Sequence, residues 1–408
     1  MKTWWRATGL AVALFVAAAL VAPGVSAGKG AGGLLPPGTY RFDFTGADFQ
    51  SFANNVSVFL DVSSGTDVAR PDGAPATTTS GTQLSLFMFD DNTFTFTFAC
   101  LLLDHPSDFT IDNRLGAATL NTVLTPSTPT CPGGEPPLTT TIGINASWTG
   151  VGPLAHATGA SNYACAGYGA QSQQRSLTNT ATANVTLTTP GGTTAFPPVP
   201  SALNFNHFDV EAHGTIDPGC GPTGFGIGPT PAGHSHFFGL FAGGFFGVPP
   251  FSFDQVSLIE SSQPAENDLN VSIADGFGCF VIPSSDIVTN GLTSASVNTT
   301  VNGPNPPICS GSFAFGLSYP MTVNATWTAQ GPVATVHDQN NYQCEGYTQA
   351  TSTFVQNVGA TSTATITMPD FLGNPQTQTL TGGFGNIMQV NQRVQANGTL
   401  PLSCLIRA

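Results

Sequence analysis

One stretch of this chain occurs twice. Residues 144–168 read INASWTGVGPLAHATGASNYACAGY, and residues 323–347 read VNATWTAQGPVATVHDQNNYQCEGY. Asn145, Trp148, Gly152, Pro153, Ala155, Asn162, Tyr163, Cys165, Gly167 and Tyr168 each recur 179 residues later. A likeness of this extent inside one chain marks a duplication, so the fold has to be one that a half-chain can build and a second half can repeat. What both copies keep is glycine, proline, tryptophan, tyrosine and cysteine. These residues set backbone geometry and packing and supply no obvious reacting group.

Within each copy the apolar residues alternate. Tyr40-Arg41-Phe42-Asp43-Phe44 alternates aromatic and charged residues, and Thr93 to Phe98 alternates threonine with phenylalanine. Period-2 runs of β-branched and aromatic residues predict half-buried strands. Beyond the N-terminal region no window carries the 3.6-residue apolar spacing of a helix, and 47 Gly and 32 Pro make long helices costly. The expected fold is all-β: two tandem, internally repeated antiparallel β-sandwich or barrel-like domains, each of about nine strands. Domain one is expected over 38–220, a Gly/Pro-rich linker over 221–233 and domain two over 234–408. The Phe-rich run that opens domain two is read as its first strand, matching Tyr40 to Phe44. Ahead of its first cysteine, domain two lacks a counterpart of Gly65 to Gly81, which is read as a surface loop insertion.

Residues 1–27 read as a signal peptide. Lys2 and Arg6 precede an apolar run from Leu10 to Ala22, and Val25-Ser26-Ala27 offers a cleavage site after Ala27. Residues 28–37 then form a flexible leader. That apolar run is short for a membrane span, so no span is expected after cleavage, and the mature chain is expected to be secreted.

Eight cysteines follow the signal and fall into register between the copies. Cys100, Cys131, Cys165 and Cys220 correspond to Cys279, Cys309, Cys344 and Cys404. An even number in an exported chain reads as a disulfide framework, whereas zinc sites favour close C-x-x-C pairs, of which there are none. Four cysteines per copy allow three connectivities. The shortest loops are closed by Cys100–Cys131 with Cys165–Cys220, and by Cys279–Cys309 with Cys344–Cys404.

Only 8% of residues are charged, and without Lys2 and Arg6 seven basic residues face 23 acidic ones. Lys29 is then the only lysine. Such a chain has no basic footprint for nucleic acid and little attraction to anionic lipid. No cofactor is expected. No nucleophile elbow, phosphate loop or zinc-protease motif is present.

Several constellations remain as candidates. His234 and His236, at i and i+2 of an expected strand, point the same way and could share a metal ion. His207, Asp209, Glu211 and His213 likewise fall on one face of a strand. Asp104, Asp108 and Asp112 form a carboxylate-bearing loop of which copy two keeps only Asp286. Trp148 and Trp327 are core anchors or, alternatively, platforms for a sugar or other ligand. The function expected on this basis is that of a non-enzymatic extracellular structural or interaction protein with a protein or glycan partner. Two alternatives are a carbohydrate- or ligand-binding module and a secreted polysaccharide hydrolase using carboxylates such as Asp209 and Glu211.

Overall fold

A computed structural model describes residues 35–401, except 54, 91–94, 104, 132–136, 221–232, 249–251, 262–267, 274–275, 304–305, 309–318 and 371. For 233–278 it describes the backbone alone. The expected signal peptide, most of the leader and nearly all of the expected linker therefore lie outside the described residues.

Strands dominate, as the alternation requires. Copy one holds β1 (Gly38–Ala53), β2 (Val56–Pro71), β3 (Thr77–Asp90), β4 (Thr95–Leu103), β5 (Phe109–Ile111), β6 (Ala117–Leu124), β7 (Ile142–Cys165), β8 (Tyr168–Thr189), β9 (Gly192–Ala195) and β10 (Val199–His213). Copy two holds β11 (Gly233–Val248), β12 (Ser252–Ser261), β13 (Asp268–Ile273), β14 (Gly276–Val281), β15 (Ile287–Asn290), β16 (Ser294–Val301), β17 (Met321–Cys344), β18 (Tyr347–Pro369) and β19 (Pro375–Asn397). The only helical turns among the described residues are short 3-10 pieces at Pro106–Asp108 and Ser284–Asp286.

All pairing is antiparallel. In copy one β4, β3, β2, β1, β10, β8 and β7 lie side by side in that order. Copy two repeats the order with β14, β13, β12, β11, β19, β18 and β17. Short strands β6 and β5 hang off the first part of β7, and β16 and β15 hang off β17 in the same way. Among the described residues nothing pairs β4 with β5 or β6, so the sheet is not closed into a barrel. It nevertheless curls, because residues of β1 to β4 and of β5 to β8 share one core: Phe49, Leu60, Leu84, Leu101, Leu120 and Trp148 are all buried together. Phe280, Val297, Met321, Val323, Trp327 and Ile366 form the matching core of copy two.

The two copies do not form separate sheets. Residues 156–164 of β7 pair with residues 335–343 of β17, joining all nineteen strands into one sheet. The shared Gly-Pro explains how one strand serves two partners. The ladder between β7 and β8 skips between Gly150 and Leu154, and that between β17 and β18 skips between Ala329 and Val333. Both irregularities enclose the shared Gly152-Pro153 and Gly331-Pro332. A bulge bends the strand locally, and a proline there sacrifices no ladder bond. Before the bulge β7 pairs with β6, and after it β7 pairs with β17.

Other shared residues have similar work. Ala166 and Gly167 have φ of 48° and 86°, and Glu345 and Gly346 have 49° and 84°. Each pair makes the two-residue hairpin, positive at both central residues, that matches strand twist. Tyr163 meets Tyr168 edge-on with ring centroids 5.9 Å apart, and Tyr342 meets Tyr347 likewise at 6.1 Å. The Asp108 carboxylate accepts a hydrogen bond from Thr122 at 2.8 Å, and Asp286 accepts one from Thr299 at 2.8 Å. Those two aspartates therefore tie a 3-10 turn to the neighbouring strand.

Cys100 is bonded to Cys131 and Cys165 to Cys220, with Cα atoms 5.3 and 5.9 Å apart. Cys279 and Cys344 are also disulfide-bonded, to partners outside the described residues, where Cys309 and Cys404 lie. The first bridge fastens the free edge of β4, where Leu101 pairs with Thr130. Phe280 pairs with Ile308 at the same place in copy two.

The expectation of a loop at Gly65 to Gly81 needs correction. Strands β2 and β3 stay paired from Val62–Leu84 out to Ala69–Thr77, so most of this stretch is an extended hairpin turning at residues 72–76. Its second strand is the unbroken run Thr77-Thr78-Thr79-Ser80, and its first carries only Val68 and Ala69 as apolar residues. That pattern forms a strand without contributing to a core, which hides it from a search for apolar periodicity.

Candidate functional site

On β1, residues 47 and 49 belong to the core, and the strand runs in unbroken register with both neighbours. Period-2 alternation therefore puts Thr45, Asp43 and Arg41 on that same face, and Tyr40 and Phe42 on the other. Their partners on β10 are Phe205, His207 and Asp209. Moving away from the core along this face, the lining changes from apolar (Phe49, Leu203) to hydroxyl and phenyl (Thr45, Phe205) and then to charged.

The charged part is a linked network. The His207 Nδ1 lies 2.6 Å from an Asp43 carboxylate oxygen, and its Nε2 lies 2.9 Å from Asp209. Arg41 donates from Nε to the other Asp209 oxygen at 3.0 Å. The hydrogen bond to Asp43, helped by that to Asp209 and opposed by burial, raises the His207 pKa. Burial pushes the Asp209 carboxyl up, but hydrogen bonds and charge from Arg41 and His207 together outweigh it and hold the acid below its usual range. A charged imidazole donates from both nitrogens, and both are occupied here. So His207 joins two strands through both ring nitrogens and leaves neither free for a substrate. Farther out, His213 and Glu211 face each other at 3.2 Å, both well exposed.

Beside this network, β1, β2 and β3 enclose an open cleft of about 240 Å³. Asp43, Thr45 and Phe205 line one side. Ser64 and Thr66 of β2, paired directly with Thr45 and Asp43, and Ser80 and Thr82 of β3 continue the same surface, with Phe44, Gly65 and Gly81 between them. Thr66 and Ser80 hydrogen-bond across the hairpin at 2.9 Å, and Thr82 donates to Ser64 at 3.1 Å. Asp43 uses one carboxylate oxygen on His207, and its other oxygen has no partner among the described residues.

A second acidic feature lies at the other end of β1. Asp48 is buried where β1 parts from β10, and its carboxylate accepts hydrogen bonds from Ser201 and the Ala202 backbone, both at 2.9 Å. The carboxylate thereby satisfies an N–H that the ladder no longer reaches. Asp61 sits directly across from Asp48 on β2. Burial pushes the Asp61 carboxyl up to about 6.

His207, Asp209, Glu211 and His213 do share one strand face as expected, and Arg41 and Asp43 join them from β1. Those two are additions to the expected set. Their signal was the alternation Arg41-x-Asp43 on one strand against His207-x-Asp209 on another, a cross-strand charge pattern. In copy two, β19 places Asn391 and Arg393 where His207 and Asp209 stand, aligned by Gly214 and Gly398, so this network belongs to copy one alone.

Trp148 and Trp327 are each 1% exposed, so neither ring offers a face to a ligand arriving from solvent. Trp148 packs edge-on against Phe109 and donates from its indole to the Asp48 carbonyl at 2.6 Å. The side chains of His234 and His236 lie outside the described residues. Their backbone stands opposite Gln395 and Arg393. In the aspartate loop, Asp112 accepts from the Gly116 and Arg114 amides at 2.9 and 2.8 Å, which lowers its pKa. Asp104 lies outside the described residues.

No family model matches the chain, and no curated protein does. Among solved structures it is similar to a Nitrosomonas europaea protein described as AttH, at 7% identity over 86% of this chain and 92% of that one, with a TM-score of 0.20. It is similar to CghA at 10% identity over 88% and 94% of the two chains, with a TM-score of 0.15. With OccK5 of Pseudomonas aeruginosa the values are 9% identity, 90% and 100% coverage, and a TM-score of 0.13. At such scores these likenesses carry no functional weight.

Proposed function

We propose that this chain is an exported, disulfide-stabilised and non-enzymatic protein that works outside the cytoplasm by presenting a rigid β-scaffold. The observation that carries the proposal is the fate of what the copies share. Trp148 and Trp327 are buried, Gly152-Pro153 and Gly331-Pro332 sit in bulges, and Gly167 and Gly346 make matching hairpins. Two disulfides, and two more half-described ones, point to an extracellular or periplasmic compartment. Among the described residues no helix is long and apolar enough to cross a membrane.

In a hydrolase built on Asp209 and Glu211, Asp209 would not be the acid. A glycosidase acid is kept protonated by a raised pKa, and Asp209 is held the other way by Arg41 and His207.

Fractionation of the producing cell, followed by peptide mapping without reductant, tests the proposal. The expected result is a culture-medium or envelope protein carrying Cys279–Cys309 and Cys344–Cys404 beside the two bridges of copy one. A cytoplasmic protein with free thiols would overturn the location. Release of reducing ends from a panel of polysaccharides, lost in Asp209→Asn and Glu211→Gln, would replace the scaffold by the hydrolase.

A further inference from the structure

The stretch Gly65 to Gly81 is present in copy one and has no counterpart ahead of Cys279 in copy two. It extends the β2–β3 hairpin and supplies Gly65, Thr66, Ser80 and Gly81 to the cleft wall. The same surface includes Asp43, whose partner His207 also has no equivalent in copy two. The features that distinguish the copies thus meet at one place.

We propose that this cleft is a binding site for a neutral pyranose, a single sugar ring or the terminal ring of a glycan. The proposal goes beyond the scaffold reading and moves ligand contact away from Trp148 and Trp327. Its basis is the kind of group the cleft collects. Hydroxyls of Thr45, Ser64, Thr66, Ser80 and Thr82 both donate and accept, as sugar hydroxyls do. Asp43 adds a carboxylate oxygen to accept from a vicinal hydroxyl. Phe205, half-buried against the core, supplies an apolar surface for the C–H face of a ring.

Other ligand classes fit less well. An anion would meet Asp43, and the nearby basic groups, His207 and Arg41, are already bonded to Asp43 and Asp209. A wholly apolar ligand would take water from the Asp43 carboxylate and from the outer hydroxyls of Thr66 and Ser80 and replace it with nothing, at a cost for each. About 240 Å³ holds one ring and leaves a second outside.

The full mature chain is titrated with methyl α-D-glucopyranoside, methyl α-D-mannopyranoside and methyl α-D-galactopyranoside, followed by calorimetry and by threonine methyl NMR signals. At least one is expected to bind saturably, with a Kd of roughly 0.1–10 mM for so small a ligand. The methyl signals of Thr45, Thr66 and Thr82 should move, while that of Thr300 in copy two stays in place. Ser80→Ala and Thr66→Val, both at the outer wall, should each weaken binding several-fold without changing Tm. No saturable binding by any of the three, or shifts that avoid these threonines, would overturn the assignment. So would binding that survives the Thr66→Val/Ser80→Ala double variant. Export and disulfide mapping are read separately, so the site and the scaffold can fail independently.

Discussion

Ala160 on β7 stands directly across from Gln339 on β17. Gln339 lies 179 residues after Ala160, the same interval that separates Trp148 from Trp327, so each is the other's repeat equivalent. The register fans out evenly on both sides: Ser161 faces Asp338 and Gly159 faces Asn340. The copies therefore meet about a local two-fold axis through this pair, as identical subunits do in an isologous interface.

Because Ala160 is paired with Gln339 on one side and Gln173 on the other, its N–H belongs to a ladder whichever way it points. Ala160→Pro removes that donor in the middle of the sheet and leaves a carbonyl unpaired, at an expected cost of about 1–3 kcal/mol. Ala160→Ser keeps the N–H and should cost little. Urea unfolding of both variants checks this. Equal midpoints would mean that the ladders through Ala160 do not contribute to folding.

Asp61 provides a pH test. Its carboxyl, pushed up to about 6 by burial, prefers to be protonated in the folded chain. A raised folded value means that stability is full below the unfolded value of about 3.9 and is lost as pH rises toward 6. Above that range the charged carboxylate lowers stability by an amount on the order of 3 kcal/mol. Asp61→Asn should therefore raise Tm at pH 8 and leave it nearly unchanged at pH 3.5. The reverse pattern in thermal scans would count against a desolvated Asp61.

The His207 network runs with the opposite partner and a different window. His207 is raised, so its contribution is complete below about 6.5 and fades as pH climbs through the folded value. Asp209 is lowered, so its share appears above about 3.9 and is lost in acid. The network is strongest between those limits. With its carboxylates partly exposed to solvent, His207→Gln is expected to cost only about 1 kcal/mol at pH 5.5 and less at pH 9. A loss that is flat with pH would indicate packing in place of charge.

The all-β class, the strand faces and the cysteine pairs of copy one were legible because each rests on local periodicity or on counting. The partnership of Arg41 and Asp43 with His207 was not, because it joins residues 164 or more positions apart through a ladder that sequence does not print. The β2–β3 extension was obscured by its composition. Thr77, Thr78, Thr79 and Ser80 alternate with nothing apolar, although they pair residue by residue with Asp67 to Ala69 and their neighbours. The seam between the copies was hidden for a different reason: Gly-Pro punctuation in a strand reads as an ending, and here it marks a change of partner.

Gly214 and Gly398 supply a test of the repeat that no shared motif in the sequence suggested. They have φ of 83° and 87°, which disfavours any residue with a Cβ. A Cβ on Gly214 would collide with the Gly167 carbonyl, and one on Gly398 with that of Gly346. Gly167 and Gly346 are themselves equivalent hairpin residues, so each copy closes its Cys-x-Gly-Tyr turn against a glycine at the end of its last strand. Backbone cannot swing aside as a long side chain does, so the clash adds to the torsional cost. Gly214→Ala and Gly398→Ala should each destabilise by more than the ~1 kcal/mol of an ordinary strained glycine, and by similar amounts. Gly73→Ala supplies the control, since its φ is 74° but a Cβ there meets nothing within 4 Å. If all three variants unfold at the same denaturant concentration, torsion alone matters and the close approach of the two turns contributes nothing. If Gly214→Ala and Gly398→Ala fall together below Gly73→Ala, both copies rely on the same contact at the same place.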